Sequence, residues 1–192
     1  VQAELTNVAA IYSGNSAFVA LKNDGTVVVW GDSLYDSVPS GLNYVNTIFS
    51  NSQAFAALRS DGSVVAWPQA APGGLTNVQT IYSTSSSFAA LKTDGSVVAW
   101  GYSSSGGDSS DVHDDLINVE TIYSTDYAFA ALKNDGTVVA WGHTSYGGNV
   151  PSGLTNVNTI FSTSNVFIAL KNDGTVVAWG NTNYTVPNSL TV

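Results

Sequence analysis

The chain of 192 residues contains no cysteine. This absence excludes disulfides, thiolate metal sites and cysteine nucleophiles together, although secreted and intracellular proteins can both lack cysteine. Lysine and arginine together number five against 14 acidic residues, which gives a net charge of −9. So few basic residues leave no electrostatic footprint for the phosphate backbone of a nucleic acid. The sequence therefore predicts that no nucleic acid is bound.

Long hydrophobic runs are also missing. No apolar stretch approaches the roughly 18 residues that a membrane span requires, so we expect no membrane insertion. The chain opens on Val1 without a signal-like segment, which suggests processing from a longer protein, and we expect a secreted or cell-surface location. With 44% hydrophobic residues, residues 1–192 can form one domain that buries roughly 70% of its unfolded surface without metal or disulfide.

A phrase of the type Leu-Lys-x-Asp-Gly-x-Val-Val-x-Trp-Gly returns five times. Its copies occupy residues 21–31, 58–68, 91–101, 132–142 and 170–180, with Pro68 replacing the final glycine of the second copy. The Asp of the phrase falls at 24, 61, 94, 135 and 173, so successive copies are 37, 33, 41 and 38 residues apart. A unit this short cannot bury its own apolar face and must stack against copies of itself.

A second landmark is a leucine that closes a short linker, at Leu5, Leu42, Leu75, Leu116, Leu154 and Leu190. These leucines divide the chain into five units at about 5–41, 42–74, 75–115, 116–153 and 154–190. Residues 1–5 and 186–190 share the same phase of the repeat. We therefore expect the five units to close into a ring.

Each unit predicts three short strands. In the first unit, residues 7–13, 17–21 and 26–30 are short segments with β-branched and aromatic residues, and turn residues separate them. Both faces of these strands are apolar, so each small sheet must lie between two others. The prediction is an all-β, five-bladed β-propeller with blades of about three strands. A fragment of a longer propeller array and a β-solenoid are the alternatives.

Residues 88–101 and 129–142 both read Phe-Ala-Ala-Leu-Lys-x-Asp-Gly-x-Val-Val-Ala-Trp-Gly. This pattern resembles the core of the regulator of chromosome condensation type repeat, and the short period is similar to the compact form found in β-lactamase inhibitory protein II. The resemblance covers all five units and implies a propeller, although members of these two kinds have seven blades. The family's Gly-x-x-His before the second strand and Gly-Gln-Leu-Gly after the Trp-Gly are absent here. Their absence argues against nucleotide exchange and chromatin binding.

The two ends of the predicted blades differ. The five basic residues all lie beside the Asp-Gly turns on one face, whereas the loops after each Trp-Gly lie on the other face and vary in length. Variable loops on a rigid scaffold are the usual place for recognition. The candidate binding residues are the aromatic residues on that side, Trp30, Trp67, Trp100, Trp141, Trp179, Tyr35, Tyr102, Tyr146, Tyr184 and Tyr127. A tryptophan repeated at a fixed position also suits a wedge between neighbouring blades.

The third loop clusters four aspartates with His113, at Asp108, Asp111, Asp114 and Asp115. Hard cations prefer several oxygen ligands, but the spacing lacks the calcium-loop pattern, which favours a solvated acidic loop. We predict no metal and no cofactor. The sequence also offers no arrangement of nucleophile, base and orienting residue, so it does not predict an enzyme.

Three functions remain open. The strands are similar in all five units, but the loops differ between units. This difference favours a non-enzymatic module that binds one protein partner on the variable loop face. Near-identical units would also suit a multivalent carbohydrate-binding lectin, in which equivalent sites add avidity for a glycan. The third possibility is a structural repeat domain. The partner is therefore expected to be a protein or a glycan.

Overall fold

The computed structural model describes residues 4–35 and 38–181. The described residues contain 15 strands, three in each repeat unit. The strands are β1 (Val8–Ser13), β2 (Ala17–Lys22), β3 (Val27–Gly31), β4 (Val45–Ser50), β5 (Phe55–Arg59), β6 (Val64–Trp67), β7 (Val78–Ser83), β8 (Ser87–Lys92), β9 (Val97–Gly101), β10 (Val119–Ser124), β11 (Ala128–Lys133), β12 (Val138–Gly142), β13 (Val157–Ser162), β14 (Val166–Lys171) and β15 (Val176–Gly180). Short 3-10 helices follow three of the blades, at Ser33–Tyr35, Ser103–Ser105, Ser110–Asp115 and Thr144–Tyr146.

Each set of three consecutive strands forms one antiparallel sheet, in the order β1-β2-β3 and likewise in the other four units. The five sheets are the blades of an all-β propeller, which confirms the predicted fold class and the three-stranded blade. In the described part of the chain, no helix is both long and apolar enough to cross a membrane.

The Asp-Gly turns connect the second and third strands of every blade. In the first blade, Asp24 Oδ1 accepts hydrogen bonds from the Thr26 amide at 3.0 Å and the Thr26 hydroxyl at 2.6 Å. Gly25 follows with a φ of +77°, a conformation that glycine adopts without steric cost. The same arrangement recurs in the other four turns, so the turn holds itself together without help from the loops.

The described residues form four apolar cores, and each core lies between two consecutive blades. We call the face of a blade that packs against the next blade in sequence its rear face, and the opposite face its front face. The rear face contributes alternate residues of the second strand to each core, such as Val19 and Leu21. The front face of the following blade supplies an Ile, a Phe and a Trp, here Ile48, Phe55 and Trp67. The other three cores repeat this composition. The apolar residues on both faces of the strands are thus explained by blade stacking.

Backbone hydrogen bonds add to these cores on the side of the Asp-Gly turns. The Val45 amide of the second blade donates to the Gly25 carbonyl of the first at 3.0 Å. Equivalent bonds join Val78 to Gly62, Val119 to Gly95 and Val157 to Gly136. Each turn is therefore bonded to the blade that follows it.

The first and fifth blades each leave one face uncovered. Ile11 and Phe18 on the front of the first blade are 60% and 45% exposed, and Phe161 on the rear of the fifth is 59% exposed. The packing between described residues runs from each blade to the next in sequence and leaves these two faces to solvent. The expected closure of the ring is therefore not present among the described residues, because the fifth blade does not cover the first.

Candidate functional site

The strand order separates two faces of the propeller. The turn face carries the five Asp-Gly turns. The loop face carries the loops between the first and second strands, together with the segments that follow each Trp, which we call the post-Trp loops. Backbone hydrogen bonds connect these two kinds of loop, as from the Asp32 amide to the Ser16 carbonyl and from the His143 amide to the Tyr127 carbonyl, both at 2.9 Å. The predicted division of the molecule into a uniform face and a variable face is therefore confirmed.

Charge is divided unequally between these regions. Each turn carries one basic residue and one Asp. Among the described residues, three of these five form ion pairs, Lys22 with Asp24 at 4.0 Å, Lys92 with Asp94 at 3.4 Å and Lys171 with Asp173 at 3.8 Å. Five turn aspartates subtracted from 14 acidic residues leave nine, which equals the whole net charge of −9. Asp32, Asp108, Asp111 and Asp126 of this remainder lie in the segments of the loop face. The loop face is therefore acidic and carries no Lys or Arg among its described residues.

The repeated tryptophans lie in the cores between blades. Trp67, Trp100, Trp141 and Trp179 are only 2–7% exposed. Each stacks on the Phe opposite it in the neighbouring strand, with ring centroids 5.1 to 5.6 Å apart. Trp30 stacks on Phe18 in the same way but is only half-buried, because none of the described blades packs against it. This placement agrees with the wedge interpretation and leaves four of the five indoles little surface for a ligand.

Two post-Trp loops are fixed firmly to the next blade. Gly106 and Gly147 end the 3-10 helices Ser103–Ser105 and Thr144–Tyr146 with φ of +87° and +97°. Their carbonyl oxygens accept hydrogen bonds from Trp141 Nε1 at 2.9 Å and Trp179 Nε1 at 3.0 Å. The loops of the third and fourth blades are therefore each hydrogen-bonded to the blade that follows.

The second blade departs from this pattern, and its loop, 68–74, is the shortest of the five segments between a Trp and the following linker leucine. The described residues contain no 3-10 helix there, and the buried Trp100 Nε1 has no hydrogen-bond partner among them. Trp67 Nε1 also has no partner among the described residues, although the first loop contains the 3-10 helix Ser33–Tyr35. A cleft of about 310 Å³ lies between the loops of the first, second and third blades. The cleft is lined by Leu34, Tyr35, Gln53, Pro68, Gln69 and Tyr102. We call these six residues the loop-2 cleft.

Two exposed apolar side chains flank the loop-2 cleft. Leu34 is 71% exposed and Tyr102 is 53% exposed, so both present contact area to solvent. Tyr35 is buried instead, with its hydroxyl donating to the Ser52 carbonyl at 3.2 Å and its ring edge against Phe55. Of the predicted tyrosines, Tyr102 therefore fits a contact role, and Tyr35 supports the wall of the cleft.

The remaining predicted tyrosines lie elsewhere. Tyr127 and Tyr146 pack edge to face with centroids 4.7 Å apart, and His143 adds a second edge contact to Tyr146 at 5.1 Å. Both tyrosines are half-buried in the fourth blade. Tyr184 lies outside the described residues. The structure thus groups Tyr127 with Tyr146 and separates both of them from the loop-2 cleft.

Two further clefts repeat between later blades. One, of about 460 Å³, has Trp141 among its lining residues, together with Asp108, Asp111 and Asn149. The other, of about 440 Å³, has Trp179 at the equivalent position, together with Thr144, Pro151 and Asn181. The repetition matches the idea of equivalent sites, but the linings differ because the loops differ.

The acidic segment of the third linker forms the 3-10 helix Ser110–Asp115. The Ser110 amide donates to Asp108 Oδ1 at 3.0 Å and lowers the pKa of Asp108. Among the described residues, no group of three or more His, Cys, Asp or Glu side chains could hold a metal ion. The geometry therefore provides acidic surface at this linker.

Sequence reasoning did not single out Leu34, Gln53, Pro68 and Gln69. The available signal was the length of the second loop, since 68–74 is shorter than the other segments between a Trp and the following linker leucine. Leu34, Gln53, Pro68 and Gln69 line the cleft beside this short loop.

No protein-family model matches the chain, and no curated protein matches it. Solved structures are similar in fold. Prp20p from Saccharomyces cerevisiae, studied for its binding to Gsp1p and histones, is 16% identical with a TM-score of 0.58, over 92% of this chain and 58% of that chain. The ectodomain of the receptor kinase CR4 from Physcomitrella patens is 19% identical with a TM-score of 0.56, over 94% and 53%.

The ectodomain of the receptor kinase ACR4 from Arabidopsis thaliana is 17% identical with a TM-score of 0.55, over 90% of this chain and 63% of that chain. The chain thus spans between half and two thirds of the length of these structures. Another structure describes the yeast protein Prp20 as RCC1 bound to Kap60. At such low identity the likeness concerns fold alone, and it shows a propeller fold similar to that of RCC1.

Proposed function

We propose that this chain is a non-enzymatic binding module that uses its loop face to bind a protein partner. The observation that carries the proposal is the loop-2 cleft, where Leu34 and Tyr102 stand exposed beside a concave surface. Interfaces are typically anchored by a few aromatic or aliphatic side chains at a central pocket, surrounded by polar residues. Gln53 and Gln69 supply such polar neighbours here.

The charge of the loop face specifies the chemistry of the partner. Asp32 lies close in sequence to Leu34, and Asp108 and Asp111 line the neighbouring cleft. An acidic surface without local basic residues favours a partner with a basic surface, because complementary potentials speed association and fix orientation. The proposed partner is therefore a protein that presents an apolar side chain within a basic patch.

The location and the non-enzymatic character belong to the same proposal. A secreted or cell-surface location is supported by two structural neighbours that are receptor kinase ectodomains. The absence of catalysis is supported by the role of the titratable residues on the turn face, since each of the five turn aspartates is occupied by hydrogen bonds within its own turn.

A lectin is the second candidate. The clefts beside Trp141 and Trp179 occur at equivalent positions of consecutive units, and both have hydroxyl and amide side chains in their lining. Repeated sites of this kind would gain avidity on a branched glycan. The indoles are buried, however, so the stacking surface that a sugar uses would be small.

The test uses three immobilised forms of the chain. Wild type, the double variant Leu34→Ala/Tyr102→Ala and the control Ile117→Ala are exposed to proteins from the native source at low and high salt. Ile117 is also an exposed apolar residue, but it lies in the third linker outside the loop-2 cleft. We expect proteins that wild type and control retain at low salt to be lost from the double variant.

Equal retention on all three forms would overturn the proposed site. A glycan array probed with the same forms separates the lectin. A glycan bound by all of them, without any protein retained specifically, would replace the protein-binding proposal with the second candidate.

A further inference from the structure

We propose that two copies of this chain bind head to tail, with the front face of the first blade of one copy on the rear face of the fifth blade of another. This interaction goes beyond the loop face and does not depend on it. The four cores between blades show what such faces bind, and the described residues leave one face of each kind uncovered.

The front face of the first blade is built like the front faces that are buried. Ile11 occupies the position of Ile48, Ile81, Ile122 and Ile160, each of which is at most 3% exposed. Phe18 occupies the position of Phe55, Phe88, Phe129 and Phe167, each of which is 0% exposed. The first blade therefore offers solvent the same side chains that the other four blades bury against a neighbour.

The rear face of the fifth blade is the complement. Ile168 and Leu170 are half-buried, whereas Val19 and Leu21 at the equivalent positions of the first blade are buried in a core. Phe161 lies beside them and is exposed. The equivalent apolar surfaces are buried at the four interfaces between blades. Contact between the two exposed end faces would remove their apolar surface from water as well, and this burial favours association.

Backbone groups at the two end faces match in direction. A turn-glycine carbonyl accepts from the Val amide of the following blade at all four interfaces. In the described ranges, Gly174 has no blade after it and Val8 has none before it. On the loop face, amides donate forward from Ser52 to Ser85, from Ser85 to Asp126 and from Asp126 to Ser164 at 2.8 to 3.1 Å. Asn15 is the equivalent residue of the first blade. In the proposed contact, the Ser164 amide of one copy donates to the Asn15 carbonyl of the other copy.

One side-chain pair also fits the end faces to each other. At three interfaces a Tyr hydroxyl on the rear face bonds the Thr hydroxyl of the next blade, as in Tyr12 with Thr47 at 3.2 Å. The fifth blade has Phe161 at the Tyr position, and the first blade has Ala10 at the Thr position. The two hydroxyls are missing together, so docking would leave neither a donor nor an acceptor buried without a partner.

The contact is heterologous, because the two surfaces that meet are different. Copies can therefore add successively, or two copies can close if both junctions form at once. The exposure of Ile11 and Phe161 shows that the chain does not satisfy these faces by itself in the described ranges. A second copy supplies both missing partners.

The test is complementation between two variants, measured by sedimentation equilibrium of the full chain. Ile11→Asp places a charge on the front face, and Phe161→Asp places one on the rear face. Wild type should show a mass that rises with concentration, and each variant alone should weaken that association at least tenfold. The two variants mixed should restore a heterodimer, because the rear face of the first and the front face of the second are intact.

Ile117→Asp is the control for added charge at an exposed apolar residue outside both end faces, and it should associate as wild type does. A wild-type mass that stays monomeric up to millimolar concentration would overturn the proposal. So would variants that associate like wild type, or a mixture that fails to form the heterodimer while both variants keep the circular dichroism spectrum of wild type. Closure of one chain on itself would give such a constant monomeric mass.

Discussion

Trp141 Nε1 donates a hydrogen bond to the Gly106 carbonyl of the preceding blade at 2.9 Å, while Trp100 at the equivalent position has no partner for its Nε1 among the described residues. Both indoles are nearly fully buried and stack on a Phe in the same way. The two residues therefore allow a comparison between a buried indole that donates a hydrogen bond and one that does not, within the described residues.

The first prediction uses this comparison. Trp141→Phe and Trp100→Phe remove similar volume, but only Trp141→Phe leaves a buried carbonyl without its donor. We expect Trp141→Phe to lower the free energy of unfolding by about 1–2 kcal/mol more than Trp100→Phe. Urea denaturation followed by fluorescence measures both. Equal losses would mean that the indole hydrogen bond adds nothing to stability.

The second prediction concerns the glycines of the post-Trp loops. A Cβ on Gly147 would lie 2.5 Å from Phe167 Cδ2, whereas a Cβ on Gly153 would meet nothing within 4 Å, although both residues have positive φ. Gly153→Ala should cost about 1 kcal/mol from backbone strain alone. Gly147→Ala should cost about 1–3 kcal/mol more, because the Phe ring must move.

Thermal denaturation of the two alanine variants isolates the packing contribution in the second prediction, since the backbone strain is common to both. If Gly147→Ala melts with Gly153→Ala, the loop of the fourth blade is not held against Phe167 as the structure shows.

The third prediction concerns the loop-2 cleft. Leu34→Ala/Tyr102→Ala should leave the free energy of unfolding within about 1 kcal/mol of wild type, because both side chains are exposed. Affinity for the protein partner should fall by roughly 2 kcal/mol or more, as at an interface hot spot. Calorimetry with the captured partner gives both affinity and stoichiometry. Ile117→Ala should bind as wild type does, and a partner that binds the double variant unchanged contradicts the assignment.

The fourth prediction follows from the turn aspartates. The Ser96 hydroxyl and amide donate to Asp94 and lower its pKa from 3.8 to about 2. The pKa values of Asp24, Asp61, Asp135 and Asp173 are lowered by the same hydroxyl and amide donors. A folded-state pKa below the unfolded value gives stability that is present above pH 3.8 and is lost as pH falls toward 2.

Melting temperatures between pH 5 and pH 2 measure this acid sensitivity. Asp94→Asn should reduce the dependence on pH over that interval, because the variant side chain does not titrate. Asp114→Asn makes the same charge change outside any Asp-Gly turn and serves as the control. A dependence on pH that Asp94→Asn leaves unaltered would remove the turn from the explanation.

The blade architecture was predictable because its determinants are local and repeated. A strand with Val19 and Leu21 on one side and Phe18 and Ala20 on the other has no wet face, and that pattern alone requires a neighbour on each side. The Asp24-Gly25 turn likewise shows its structure in its residues. Five copies of the same signal left little ambiguity about the strands.

The binding face was less predictable, because it depends on differences between copies. A tryptophan in every unit has the same sequence whether it fills a core or faces a ligand, and only the depth of burial of Trp141 distinguishes the two. Leu34 lies beside the short loop of the next unit, and no property of Leu34 itself reveals that position. Closure of the ring depends on how successive blades are inclined, and residues such as Ile11 do not encode that inclination locally.

Because two blades share each core, the blades differ in how readily they unfold locally. The second, third and fourth blades each belong to two cores, whereas the first and fifth belong to one. Amide hydrogens in β1–β3 should therefore exchange with solvent sooner than those in β7–β9, because fewer contacts must break. Leu34 lies in the 3-10 helix that follows β3. A ligand that contacts both Leu34 and the third blade would therefore stabilise the first blade. Its affinity can be measured from the slower amide exchange in β1–β3.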